Sequence, residues 1–241
     1  MEKSEDRIIL VDKPAGISSF GVVAKIRGKL KAEFGHKIKV GHTGTLDPFA
    51  TGLLILLSGK MTKKSDEFLK KDKIYEATLK LGFTSTTGDP EGEIVKYKAS
   101  KDTLSRSIIA DGAITERPRP VTTGSRECSE KEVSLMLQSF IGEISQQVPR
   151  FSAVKINGRR AYDLARKGYD FETPTRQVEI YSIEILDYNY PYLKIKTHVS
   201  SGTYIRTLAE DIGKKLGTGA YLTELRRIKI GDYDIKNAIK L

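Results

Sequence analysis

The longest unbroken apolar stretch of the chain is L-L-I-L-L at residues 53–57, and a loop rather than a helix leads into it. Bounded by Gly52 and Ser58-Gly59, it reads as a solid apolar strand. At five residues it is far short of the ~20 that a membrane helix requires. Ahead of it stands G-H-T-G-T-L-D-P-F-A-T-G at 41–52, and ahead of that a β-prone run at 37–40. Three glycines and a proline between two strand-like segments mark a loop, and a loop held by two strands is a place for chemistry. Its polar groups are one carboxylate (Asp47), one imidazole (His42) and three threonine hydroxyls, with no cysteine and no second acid. That set suits a single Asp acting as nucleophile or base better than a paired-acid hydrolase or a metal centre. A lone Asp-Pro is also an ordinary turn, in which Asp47 would form an Asx-turn ahead of Pro48.

At 241 residues the chain is long enough for a real core, since a chain of this size buries roughly 70% of its unfolded surface. Cys128 is the only cysteine, which excludes an intramolecular disulfide and a Cys-based zinc site and fits a reducing, cytoplasmic setting. The N-terminal M-E-K-S-E-D-R leads into only four apolar residues, 8–11, and does not read as a signal peptide. Forty-one Lys and Arg against 31 Asp and Glu give a net charge of +10, which suggests a polyanionic partner. Lys25, Arg27, Lys29, Lys31, Lys37 and Lys39 precede the Asp47 loop, and Lys60, Lys63, Lys64, Lys70, Lys71 and Lys73 follow it. Solvated helix faces account for most single lysines, but not for clustering on both sides of one loop.

The spacing predicts a mixed α/β chain without internal repeats. Residues 8–11 read as a strand, D-K-P-A-G as a turn carrying Lys13, and Ser18 or Ser19 as the cap of a helix with Phe20, Val23, Ile26, Leu30 and Phe34 inward. A short helix is expected at 61–69, and a strand at 74–81 with Tyr75, Ala77, Leu79 and Leu81 on one face. Residues 98–128 lose apolar content and read as a mobile insertion. Ser129 and Glu132 form a capping box for a helix closed by Gly142, Asn157-Gly158 marks a hairpin, and a short helix follows from Ala161. Alternating strands are expected at 178–185 and 193–199, a helix capped by Thr203 with Ile205, Leu208, Ile212 and Leu216 inward, and a last strand at 225–230.

D-K-P-A-G-I-S-S at 12–19, G-H-T-G-T-L-D-P-F-A-T-G-L-L at 41–54, K-I-Y-E-A at 73–77, T-G-D-P-E-G at 87–92, F-S-A-V-K-I-N-G-R-R-A-Y at 151–162 and S-G-T-Y-I-R-T at 201–207 stand in one order along the chain. In sequence and in order these resemble the motifs of the TruB family of tRNA pseudouridine synthases. G-H-T-G together with S-A-V-K-I-N-G-R-R-A-Y is more similar to its bacterial stand-alone enzymes than to its RNA-guided relatives. The resemblance implies an α+β pseudouridine synthase fold over 1–241, with a largely antiparallel mixed sheet flanked by helices. Family members of the usual bacterial length carry a small C-terminal RNA-binding module, and in departure from them this chain is expected to have no C-terminal PUA-like domain. It implies isomerisation of uridine in the T-loop of tRNA, at the position numbered 55, by a cytoplasmic monomer using neither cofactor nor metal.

The resemblance also assigns roles. Asp47 corresponds to the catalytic carboxylate, and whether it attacks sugar or base stays open. Tyr75, otherwise a core residue by its periodicity, corresponds to the tyrosine that stacks on the flipped base. Arg206 corresponds to the partner of the Asp, expected to hold it ionised by lowering its pKa about 1 to 3 units. Without the family, Arg206 would be a helix arginine paired with Glu210 at i+4. Tyr204 and Leu225 correspond to pocket walls, His42 to a histidine that places the flipped nucleotide, Lys13 to a lysine near the site, and Lys63 to a phosphate contact. Two other classes compete: an RNA-binding or tRNA-folding chaperone of the same fold without activity, and an Asp-dependent glycoside hydrolase, for which the second acid is missing.

Overall fold

The computed structural model describes residues 4–98 and 127–241. In chain order its elements are β1 (Ile8–Lys13), α1 (Ser19–Phe34), β2 (Val40–His42), β3 (Thr51–Ser58), α2 (Ser65–Leu69), β4 (Lys73–Leu81), β5 (Phe83–Ser85), β6 (Ile94–Lys96), α3 (Glu130–Gln138), β7 (Gly142–Gln147), β8 (Lys155–Ile156), β9 (Arg159–Arg160), α4 (Ala161–Arg166), β10 (Thr175–Asn189), β11 (Tyr192–Val199), α5 (Ile205–Leu216), β12 (Ala220–Ile230), β13 (Tyr233–Asp234) and β14 (Ile239–Lys240). The ten-stranded sheet runs β14-β1-β3-β12-β4-β11-β10-β7, with β2 on β3 and β13 on β12. Its pairings are antiparallel except β1 with β14 and β12 with β3. This is the mixed, largely antiparallel sheet that the sequence leads one to expect.

The apolar run at 53–57 becomes β3, buried along nearly its whole length because β1 and β12 flank it and clusters pack on both its faces. Gly52 has φ +107, and a Cβ there would lie 2.3 Å from the carbonyl oxygen of Arg227, so only glycine lets β12 approach here. The parallel pairing that results, Arg226 with Thr51 and Arg227 with Gly52, brings the second half of β12 beside the end of the Asp47 loop. On its other side β12 pairs with β4, setting Leu225 opposite Ala77 and Arg227 opposite Tyr75.

Tyr75, Ala77, Leu79 and Leu81 do share a buried face, joined by Lys73. They form one core cluster with Leu46 and Ala50 of the Asp47 loop, Leu225 of β12 and Ile205 and Leu208 of α5. Burying Leu46 there contributes about 1.5–3 kcal/mol, which ties the loop to the floor of the sheet.

Several expectations are corrected. Phe20 is 67% exposed, since α1 packs through Val22, Val23, Ile26 and Leu30. Lys13 ends β1 instead of standing on a turn, and it is fully buried. The cap position of α5 is Tyr204, not Thr203, with no side-chain cap bond. The capping box of Ser129 and Glu132 is present, but Gly142 opens β7, a strand not anticipated from its polar sequence. The short helix at 61–69 is a 3₁₀ turn, Gly59–Lys64, running into α2. Of the expected insertion at 98–128, residues 99–126 lie outside the described residues. At its end Cys128 is buried, and its carbonyl accepts a hydrogen bond from the Tyr188 hydroxyl at 2.5 Å.

Candidate active site

The Asp47 loop is held at several points. Thr43 N–H donates to Ile55 O at 3.0 Å, and the Ser19 hydroxyl bonds both backbone groups of Leu46, accepting from its N–H at 2.8 Å and donating to its carbonyl at 2.9 Å. Lys13 Nζ donates to Pro14 O, Ile17 O and Pro48 O at 2.9, 2.7 and 3.1 Å, so one ammonium ties the end of β1 to the residue after Asp47. The Asp-Pro turn closes through the backbone, Ala50 N–H to Asp47 O at 3.1 Å. The Asp47 side chain is therefore not an Asx-turn acceptor, and 32% of it stays exposed.

That carboxylate meets Arg206, at the start of α5, with Nε 3.1 Å from Oδ2 and Nη2 3.5 Å from Oδ1. The rest of the guanidinium is also engaged. Nη1 donates to Thr87 O at 2.9 Å and lies 3.3 Å from Asp89 Oδ2, while Nη2 donates to Phe151 O at 2.8 Å. Arg206 is 6% exposed and pairs with Asp47 and Asp89, not with Glu210 at i+4.

Asp89 is the residue that sequence reasoning passed over. It lies within T-G-D-P-E-G, is 3% exposed, and accepts from the Thr87 hydroxyl at 2.5 Å and from Glu91 N–H at 3.0 Å. Asp89 is thus a second acid at the site, but its oxygens are occupied by the Thr87 hydroxyl, Glu91 N–H and Arg206, which does not suit it as the free acid of a glycosidase pair.

The pKa of Asp47 is corrected too. Burial pushes it above the ordinary aspartate value, the Arg206 guanidinium beside it opposes this, Asp89 adds to it, and Lys13 opposes it again. Arg206 thus offsets part of a rise instead of producing a net depression.

Around this pair, Tyr75 is 8% and Leu225 7% exposed, both in the core cluster. Tyr204 is half-buried, and burial raises its phenol pKa. Its backbone is clamped by Gln146 of β7, whose side-chain amide accepts from Tyr204 N–H at 3.0 Å and donates to its carbonyl at 3.3 Å. Burial, and then Arg227, lowers the pKa of His42, whose Nδ1 is buried without a hydrogen-bond partner. Lys63 is exposed on the 3₁₀ turn and bonds none of these residues. A second omission is Arg227, 1% exposed, which donates through Nε to Leu53 O at 2.8 Å and through Nη2 to Gly44 O at 3.1 Å.

Among the described residues no group of three His, Cys, Asp or Glu side chains is placed to hold a metal ion. The arrangement offers an anionic nucleophile or base, fixed by a planar cation over an aromatic and aliphatic floor.

The model of the TruB family pseudouridylate synthase N-terminal domain matches residues 29–118 and 110–205, and that of the tRNA pseudouridylate synthase B C-terminal domain matches 206–241. The latter segment comprises α5 and β12–β14, of which β12 lies between β3 and β4. The chain is 42% identical over 242 residues to the tRNA pseudouridine synthase B of Phocaeicola vulgatus (strain ATCC 8482), covering 100% of this chain and 92% of that protein. It is 41% identical over 239 residues to the enzyme of the same name from Dechloromonas aromatica (strain RCB), covering 99% of this chain and 70% of that one. Among solved structures it resembles a chain of a Cbf5-Nop10-Gar1 complex, with a TM-score of 0.66 and 27% identity over 98% of this chain and 52% of that one.

Proposed function

The chain belongs to the TruB family of pseudouridylate synthases, and on that premise we propose that it converts uridine to pseudouridine in the T-loop of tRNA, at the position numbered 55, with Asp47 as the catalytic carboxylate. The observation that carries the assignment of Asp47 is its two-point contact with Arg206, made while the loop is otherwise held by its backbone.

The reaction breaks the C1′–N1 bond, turns the base and joins C1′ to C5, and C5 gives up a proton as N1 gains one. It is an isomerisation, so neither water nor an oxidant is consumed and no cofactor is called for. It needs a carboxylate at the sugar or base and a pocket that retains the detached uracil. Asp47 provides the first. Tyr75 receives the flipped base on its ring, and Tyr204 and Leu225 wall the pocket. Stacking offsets the few kcal/mol that flipping costs. Arg206 fixes the carboxylate orientation, Lys13 holds Pro48 and hence the loop, and His42 helps to place the flipped nucleotide. Lys63 belongs to the basic surface and contacts phosphate further from the reaction.

The partner is tRNA, engaged through its T-arm by a monomer in the cytoplasm. The charge of +10 suits a polyanion, and no helix among the described residues is long and apolar enough to cross a membrane. Incubating the protein with unmodified tRNA and mapping pseudouridines tests this reading. One new pseudouridine at position 55 is expected, and tight binding with no isomerisation would favour the inactive chaperone.

A further inference from the structure

Three arginines near the site are answered differently. Arg206 has Asp47 and Asp89, and Arg226 has Asp12 at 2.8 Å. Arg227 is the most deeply buried of the three, and its partners among the described residues are two carbonyls, Leu53 O and Gly44 O. A buried cation without a counterion is costly to fold, so its neighbourhood is arranged around a charge that nothing within the described chain neutralises. Its influence reaches the loop. Lys13 is held down to about 8 by burial, against the pull of Asp47, with Arg227 adding to the depression, and His42 is lowered by burial and then by Arg227.

The bond to Gly44 O has a geometric consequence. The 44–45 peptide is trans, the one cis bond among the described residues being Tyr190-Pro191. In a trans peptide C=O and N–H point in opposite directions. A carbonyl drawn in toward Arg227 therefore turns the Thr45 N–H outward. Gly44 takes φ +134, a conformation open to glycine, which permits this setting. Thr45 is exposed, and its N–H makes no hydrogen bond within the described residues. A free N–H two residues before Asp47, on a peptide whose carbonyl is polarised by a full charge, is a donor suited to an anion. The unpartnered Nδ1 of His42 lies three residues away on the same loop.

We propose that Arg227 is a positioning residue that turns the Thr45 N–H toward a non-bridging oxygen of the RNA phosphodiester beside the isomerised nucleotide. This rests on the reading that the Asp47 loop receives RNA. The guanidinium never touches the phosphate; it aims the donor and leaves the loop positively biased.

The test uses synthetic T-arm stem-loops with a single neutral methylphosphonate linkage placed immediately 5′ or 3′ of the target uridine. Dissociation constants are measured for the wild type, Arg227→Gln and Arg227→Lys, and isomerisation of the all-phosphate RNA is scored alongside. For the wild type, one of the two neutral linkages is expected to weaken binding about tenfold, as expected when one charge-assisted hydrogen bond is removed. Arg227→Gln is expected to bind the all-phosphate RNA about tenfold more weakly and to be nearly indifferent to the neutral linkage. Arg227→Lys, which keeps the charge but not the fork across two carbonyls, is expected to fall between. A general loss of structure would weaken binding without erasing the difference between charged and neutral RNA.

The proposal is overturned if the wild type isomerises the RNA yet neither linkage changes its dissociation constant, or if the variants keep the full wild-type sensitivity. Should Arg227→Gln not fold, full sensitivity in Arg227→Lys is enough to overturn it. A wild type that neither binds nor isomerises the all-phosphate RNA overturns the functional reading as well.

Discussion

The Asp47 loop and the hairpin of β8, β9 and α4 both border the site, and they are built to opposite specifications. The loop is bonded to β1, α1 and β3, its carboxylate is gripped by Arg206, and Leu46 and Ala50 are sunk into the core. The hairpin leaves Lys155, Arg159, Arg160 and Lys167 exposed around a shallow recess, with Arg160 and Arg166 each within 6 Å of the Tyr162 ring centre. Just ahead of the hairpin, Phe151 O accepts a hydrogen bond from Arg206. Chemistry needs atoms fixed to fractions of an ångström, which burial and redundant hydrogen bonds supply. Holding a flexible polyanion needs accessible charge and rings on which a base can rest. On the proposed reading the two requirements fall to different segments, so mutation should separate them.

The largest expected effect is at Asp47. Asp47→Asn keeps the shape but not the charge, so the single-turnover rate should fall by roughly 10³-fold or more while tRNA binding stays within about tenfold, ~1.4 kcal/mol. Arg206→Lys keeps the charge but not the planar two-point grip on the carboxylate, and a rate decrease of roughly 10²-fold is expected with little change in binding. Asp89→Asn acts at one remove, by loosening Arg206, and should cost about tenfold in rate. At the other extreme, replacing both Arg159 and Arg160 by alanine should leave the single-turnover rate at saturation unchanged. It should raise the tRNA dissociation constant several-fold, and lower the slope of log K against log salt by about 0.7–0.9 for each phosphate that is no longer neutralised. A rate effect from that double variant as large as that of Arg206→Lys would dissolve the distinction between the two regions.

Much of this was legible in the sequence, for identifiable reasons. Period-two alternation gave β4 and placed Tyr75 on its buried face, and the short motifs pointed to Asp47 and Arg206, which the fold brings together from positions 159 apart. What escaped depends on tertiary pairings that no local pattern encodes. The polar segment Gly142–Gln147 carries no strand alternation of apolar residues, yet it pairs with β10 and delivers Gln146 to clamp Tyr204. Tyr204 takes the cap position of α5 without a side-chain cap bond, and the Thr203 hydroxyl instead donates to Ser200 O at 3.0 Å. Phe20 fits the helical period but lies one position off the stripe that meets the sheet. Asp89 was hidden because its partner is 117 residues away, a separation fixed only by the fold. Arg227 did leave a signal. In a strand, adjacent arginines must face opposite ways, so one of Arg226 and Arg227 had to point toward the site side of β12.

The central claim is that the chemistry runs on an ionised Asp47 held against Arg206, and the pH profile of the single-turnover rate tests it most directly. Because burial raises the Asp47 pKa, the carboxylate should be lost on acidification at a pH above the ordinary aspartate value of 3.8. The rate should then fall tenfold per pH unit below that point. In Arg206→Lys the limb should move to higher pH, since the weaker pairing offsets less of the burial. A wild-type rate that stays flat down to the ordinary aspartate range, or a limb that does not move in Arg206→Lys, would contradict the account.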